Sequence, residues 1–437
     1  MTQSTIKRVL LLLACAGLLG PAAPAAAQGR ASFEDLLANL KSPNAATRQQ
    51  AASALGKSRR REAVAPLSAL VRDPELRVRL EVVRALRELR DLGAVPALVT
   101  SMKDGDARIR EEAIGTIVEI YAERERSGAV AGFLEIFSDE YDRSPLPPFA
   151  RVEPGVYDGL AEALRDEDRD IRRSAAYALG ILGGRDKVRD LVAALQDPEA
   201  EVRGAAATAL GKVGNAEDGK ALISLLADES AAVRNRVLQA LGVLRVREAG
   251  AALRQLYDAN RHRDLGLRVL ACLSRIGDPA QADLFRELVQ DPDAETRRLA
   301  VEGLGRVADP AQLAAFKKDF QRERNDELKL AYAFSLTLLG DRAFLDTIVL
   351  ALPSRTMGRR ARSYLLELGR PLLPDLYPYL GDPDATIRAE LCDILGTLGE
   401  PETIDRLTPL LNDPSPNVAD RANRALERLR RTGSTSG

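Results

Sequence analysis

One recurrence constrains this chain more than any other feature. The stretch LQDPEAEVRGAAATALGKVG at 195–214 is echoed by LRDEDRDIRRSAAYALGILG at 164–183 and LGDPDATIRAELCDILGTLG at 380–399. A single anchor position recurs as Thr47, Val78, Ile109, Ile171, Val202, Val233, Leu265, Thr296, Leu328, Met357, Ile387 and Val418. Successive anchors lie 29 to 32 residues apart, except for one step of 62 between Ile109 and Ile171. A short unit repeated in this way does not surround one central core; each copy buries its apolar face on its neighbours, and the result is an array.

Aligning the 12 units on the anchor exposes a helical period. The position four residues on is apolar or aromatic in all 12, and the position eight on, from Leu55 to Leu426, is aliphatic in all 12. Offsets 0, 4, 8 and 11 trace one stripe of a helix about 13 residues long. Alanine dominates offset seven, as needed where two helices approach closely. A shorter amphipathic stretch precedes each such helix, as in KVRDLVAALQ (187–196) and GKALISLLA (219–227), with Asp-Pro before the second helix and glycines such as Gly183, Gly214 and Gly399 after it. The unit is a helical hairpin and the fold class is an all-α solenoid.

Residues Asp197 to Gly214 fit the pattern DPxxxVRxxAxxALGxLG, with Val213 at its last leucine; the pattern resembles HEAT repeats, in particular the short subtype of phycobilin lyase subunits. The resemblance covers essentially residues 31–430 and implies a right-handed superhelix with second helices on its inner face. Twelve clear units plus the double step imply about 13 layers.

The double step contains FSDEYDRSPLPPFARVEPGVY (137–157). Because 62 is twice 31, the spacing predicts a degenerate repeat over 128–155 in which a Pro-rich and aromatic segment replaces a second helix. Pro145, Pro147, Pro148 and Pro154 oppose a regular helix there. Phe133, Phe137, Tyr141, Phe149 and Tyr157 either plug the flanks of neighbouring layers or project as a binding epitope.

The N-terminus reads as a secretory signal peptide over residues 1–27: Lys7 and Arg8, an apolar run from Val9 to Leu19, then an Ala-x-Ala end at Ala27. A lipid anchor at Cys15 fits less well, because a better cleavage site follows. The expected mature chain, residues 28–430 as solenoid and 431–437 as flexible tail, is exported to the periplasm or beyond. It has no transmembrane span. Without the leader, acids outnumber bases by three, which gives no electrostatic reason to expect nucleic acid.

Candidate chemistry is sparse. His262 is the single histidine, and no nucleophile elbow, phosphate loop or CxxC occurs. Cys272 and Cys392, four layers apart, read as inert core residues. No catalytic, cofactor-binding or metal-binding residues are therefore assigned. The repeated acids Asp73, Asp104, Asp166, Asp197, Asp228, Asp291 and Asp382, with the bases Arg79, Arg110, Arg172, Arg203, Arg234, Arg297 and Arg388, read as a structural ladder. In it the acid caps the second helix and the arginine pairs within its own layer or with the next.

Two basic clusters, at 245–268 and 354–370, and an inner-face row that includes Arg84, Tyr177, Gln239, Glu302, Phe334, Asp393 and Arg424 suit a protein partner better than a polyanion. The partner-binding candidates are Phe137, Tyr141, Phe149, Tyr157, Arg359 and Arg360. The expectation is an exported, non-enzymatic scaffold that binds one or more proteins. The alternative is a lyase-like or accessory subunit acting on a prosthetic group or modified protein.

Overall fold

The computed structural model describes residues 31–125 and 152–433. The expectations placed on the leader, Cys15, Phe133, Phe137, Tyr141, Phe149 and residues 434–437 concern residues outside these. Among the described residues every regular element is helical. The second helices of the 12 units are α1 (Ala45–Lys57), α2 (Leu76–Leu89), α3 (Ala107–Glu125), α4 (Arg169–Leu182), α5 (Ala200–Val213) and α6 (Ala231–Leu244). They continue as α7 (Asp264–Ile276), α8 (Ala294–Val307), α9 (Asp326–Leu338), α10 (Gly358–Leu368), α11 (Ala385–Leu398) and α12 (Pro416–Gly433). The last helix runs through Gly433, into what the sequence reads as tail.

The apolar stripe is the core. In α5, Val202, Ala206, Leu210 and Val213 stand at the four stripe offsets and all are buried. Consecutive second helices pack side by side along the array, and the short first helices cover them from the other side. The apolar core is continuous from Leu40 to Leu336, and a second cluster runs from Leu330 to Leu429. The two divide within α9, whose Leu328, Ala331, Tyr332 and Leu336 belong to the first and Leu330, Ala333 and Phe334 to the second.

The ladder has a definite geometry. At six steps an arginine side chain grips the aspartate of the next layer through two nitrogens: Arg48–Asp73, Arg79–Asp104, Arg110–Asp166, Arg172–Asp197, Arg203–Asp228 and Arg388–Asp413. The Nε to Oδ2 distance is 2.7 Å at the first five and 2.8 Å at the sixth. A third nitrogen of the same arginine donates to the backbone carbonyl of its own layer's turn, as Arg203 does to Asp197 at 2.9 Å. Planar guanidinium suits this two-sided grip, and lysine would not reproduce it.

The acid is not the helix cap. Asp197 Oδ1 accepts the amide of Glu199, two residues on and still outside α5, so it fixes the turn. Where a side-chain cap exists it lies farther along, as with Asp168 on α4, Ser230 on α6 and Asp293 on α8. Arg234 and Arg297 keep only the carbonyl half of the grip, to Asp228 and Asp291, because the next unit offers Asn260 and Glu323 in place of aspartate. Asp291 and Asp382 form their turns with no arginine in the layer before, where Gly266 and Gly358 stand at that offset.

The double step does not interrupt the ladder. Arg110 meets Asp166 with the same geometry as every other rung although 56 residues separate them instead of 25. Helix α3 packs directly on α4, and the first helix of the following unit, Pro154–Ala163, packs on the preceding first helix, Val95–Ser101. The units anchored at Ile109 and Ile171 are therefore consecutive layers. The degenerate repeat expected over 128–155 lies, but for residues 152–155, outside the described residues.

Helix spacing is set by two small-residue rows. A glycine nine residues after the anchor faces the offset-seven residue of the next helix: Gly56 on Ala85, Gly180 on Ala209, Gly305 on Ser335, Gly396 on Ala425. A Cβ at Gly56 would lie 2.7 Å from the Ala85 Cα, and one at Gly180 would lie 2.9 Å from the Ala209 Cα. The most extensive helix pairs, α1–α2, α4–α5 and α11–α12, are all of this kind. Two helices depart from the rule. Around α3 the rows hold Arg87, Thr116 and Val118, and α3 packs less on both neighbours; around α10 they hold Thr337, Tyr364, Leu366 and Ile394, and α10 packs least of all.

Candidate protein-binding groove

Where α3 stands away from its neighbours, an open groove of about 900 Å³ runs across α3, α4, α5 and α6. Offsets two, three and six supply about half of its lining, and the rest includes Thr116 and Val118 of α3 and the stripe residue Val233 of α6. The floor is small and mostly uncharged: Gly115 on α3, Ser174 on α4, and Gly204, Ala205 and Thr208 on α5. A Cβ at Gly115 would meet nothing within 4 Å, so the groove is open at that point. Tyr177 on α4 supplies an aromatic wall. Thr208 donates its hydroxyl to the Gly204 carbonyl at 2.9 Å, whereas the buried Thr116 hydroxyl has no hydrogen-bond partner.

Charges stand at the rim and several neutralise one another. Arg87 from α2 bridges Glu112 at 3.0 Å and Glu119 at 2.8 Å through its Nε, and these hydrogen bonds, Glu119's first, raise its guanidinium above its ordinary value against the opposing effect of burial. Arg173 pairs with Asp170 at 3.0 Å. Glu111 and Glu201 are exposed. A small-residue floor inside a mixed polar rim matches the anatomy of a protein-binding patch, in which anchors enter a pocket and the charged edge sets orientation.

The sequence candidates scatter. Tyr157 does not project: its hydroxyl donates to the Leu182 carbonyl at 2.7 Å, at the end of α4. Burial first, then nearby negative groups, push that phenol up to about 12. Tyr121 at the end of α3 accepts the Glu153 amide at 3.3 Å, so these two tyrosines fasten the point where the chain re-enters the array. Arg359 and Arg360 lie on α10, six units from α4. Arg359 is exposed, and Arg360 binds Glu327 at 2.8 Å.

Half of the first basic cluster is spent on pairs, Arg245 with Glu367, Arg254 with Asp258 and Asp283, and Arg261 with Asp258 and Glu287. The inner-face row is mixed in fate. Tyr177 lines the groove, but Glu302, Phe334 and Asp393 are buried and face other helices. The sequence reading missed Gly115 and Thr208; their signal was smallness at the same offset six, which reads as nothing until a cavity forms over it.

Burial holds both Cys272 and Cys392 thiols up at about 12, and neither forms a disulfide. Among the described residues no group of three or more His, Cys, Asp or Glu is placed to hold a metal ion, and no helix is long and apolar enough to cross a membrane.

Comparison with known proteins places the repeat. The family described as HEAT repeats matches residues 33–118, 157–242, 190–265, 250–337 and 373–436. No curated protein matches the sequence. Among solved structures, an engineered protein aligns at 19% identity over 91% of this chain and 98% of its own, with a TM-score of 0.37. YibA of Escherichia coli aligns at 15% identity over 63% and 92%, with a TM-score of 0.42. The CpcE–CpcF complex of phycocyanin lyase from a Nostoc species aligns at 19% identity over 66% and 98%, with a TM-score of 0.28.

Proposed function

As the chain belongs to the family of HEAT repeats, we propose that it is an exported, non-enzymatic scaffold that holds a protein partner in the groove across α3 to α6. The observation that carries this reading is the lapse in close packing around α3, which opens about 900 Å³ over a floor of small residues, with Arg236 lying against Gly204. At the other departure from close packing, around α10, the concave side is filled from within by Tyr364 and Glu367. The lapse around α3 therefore opens a groove, whereas the lapse around α10 is filled by the chain's own side chains. Export rests on the leader-like residues 1–27, and the absence of enzymatic activity on a sequence that assembles no nucleophile with its base.

The test is capture from an envelope extract with the chain beginning at Gln28, repeated with Gly115→Arg. That variant fills the groove where a side chain meets no neighbour, so folding is retained and the retained partner should fall at least about tenfold, or 1.4 kcal/mol. Equal capture by both chains would remove the groove from the reading. An N-terminus found by mass spectrometry at Met1 in cells would remove export.

A further inference from the structure

Helix α10 is attached to the array unlike any other second helix. Except around α3, small residues at offsets seven and nine let neighbouring helices close on one another; in α10 those offsets carry Tyr364 and Leu366, and the helix has the sparsest contact with its neighbours α9 and α11. Besides its buried stripe residues Ala361, Leu365 and Leu368 and the Arg362 bond to Glu390 of α11 at 2.6 Å, it is held by side chains that reach back across the concave face. The Tyr364 hydroxyl donates to Glu302 Oε1 on α8 at 2.5 Å, two layers earlier. The Tyr364 ring stacks on Phe334 of α9 with centroids 4.1 Å apart and planes 18° from parallel.

Glu367 completes the attachment. It accepts two hydrogen bonds from Arg306 of α8, at 2.8 and 2.9 Å, and one from Arg245 at the end of α6, at 2.8 Å. Arg245 is four layers before α10. At ~8–10 Å per packed helix, four steps along a straight array would span ~32–40 Å, far beyond the reach of an arginine and a glutamate. The array therefore bends sharply here, and α10 lies over the inner side of α8 and α9.

The contact joins two stacked core rings, Phe334 and Tyr364, to a charged cluster. Glu302 is 5% exposed and is matched by Arg298 and Arg306 on its own helix. With its partners in place the cluster is satisfied; with Tyr364 and Glu367 withdrawn, Arg306 and Glu302 would face water and still hold each other. The opened state thus leaves no orphaned buried charge. The apolar core also divides at α9, next to the latch.

We propose that α10 is an intramolecular latch: it occupies the concave face of α8 and α9, sets the curvature of the C-terminal half, and opens as a unit about a hinge at α9 and α10. Native-state hydrogen exchange on the unaltered mature chain tests this first. The α10 amides should exchange at least about tenfold faster than those of α9 and α11. Equal protection across the three helices would make α10 an ordinary layer and overturn the proposal.

The second measurement is a spin-label distance between Ser224→Cys and Glu402→Cys, both exposed, with the native cysteines left buried. The parent should give one narrow distribution, and Tyr364→Phe combined with Glu367→Gln should broaden it and move it to longer distance. An unchanged distribution in a variant that retains the parent's helical content would refute the latch. Should the double variant fail to fold, the exchange result on the unaltered chain decides alone.

Discussion

The rung between Arg110 and Asp166 offers the sharpest test of the layer assignment. If the units anchored at Ile109 and Ile171 are consecutive, these side chains touch; if a repeat stood between them, they would be separated by two helix spacings. The perturbation is a double-mutant cycle, Arg110→Ala, Asp166→Ala and both together. Both side chains are about one-tenth exposed, at 9% and 11%, and the contact is two-pronged, at 2.7 and 2.8 Å. Exposed ion pairs couple by about 0.2–1 kcal/mol and breaking a buried pair costs about 3–5 kcal/mol. A pair nine-tenths out of water but at the edge of the array should couple by about 2 kcal/mol.

The cycle is well suited to this rung because each partner's other bonds cancel. Arg110 also donates to the Asp104 carbonyl, and Asp166 also accepts the Asp168 amide, both at 2.9 Å, and each is lost alike in the single and double variants. Equilibrium urea unfolding followed by circular dichroism supplies the four stabilities. Residues beyond ~7–10 Å with no shared partner add to within ~0.5 kcal/mol. Additivity of that quality would mean that the two layers do not meet, and the argument from the rung would be wrong.

Two further expectations follow from the helix spacing and the ladder. Gly180→Ala and Gly115→Ala both improve helix propensity by about 1 kcal/mol, yet they should move the melting temperature in opposite directions. At Gly180 the new methyl meets the Ala209 backbone at 2.9 Å, whereas at Gly115 it meets nothing, so overpacking outweighs propensity only in the first; shifts of the same sign would undo the row-nine explanation. The ladder acids should govern the response to pH. At Asp73 and Asp197 burial pushes the carboxyl up but the facing guanidinium and a turn amide outweigh it. At Asp228 and Asp413 the guanidinium is the leading cause, and all four are held below their ordinary value. Stability from such groups is present above the unfolded value and lost as pH falls through the folded one. The melting temperature should therefore hold from pH 7 to ~5 and drop below ~4. A calorimetric series that stays flat to pH 3 would contradict this.

What the sequence made legible was whatever repeats locally. The offset stripe, the hairpin unit and the Asp–Arg recurrence all lie within one period, and the offset-seven alanines announce close helix approach. The glycines nine residues after the anchor were equally visible, but glycine next to a helix end reads as a turn signal. Their role appears only when the Ala85 or Ala209 backbone lies against them. The direct contact across the double step was not legible for a different reason, since chain spacing does not say which layers touch, and residues 128–151 lie outside the described residues. The groove and the latch were beyond reach because they depend on what is missing or distant. One needs the absence of close packing around α3, the other a contact between Arg245 and Glu367, 122 residues apart.

The direct stacking of the Ile109 layer on the Ile171 layer also gives the chain a mechanical signature. Pulled from its two ends, an array of this kind peels one layer at a time, and each regular layer would release 31 residues, or ~110 Å of extended chain at ~3.5 Å per residue. The anchors on either side of the Arg110–Asp166 rung are 62 residues apart, ~220 Å of extended chain, so this step between layers spans twice the contour of a regular one. A force–extension trace would therefore carry one double-length tooth, and its place in the sequence of teeth would mark how far the peeling had advanced.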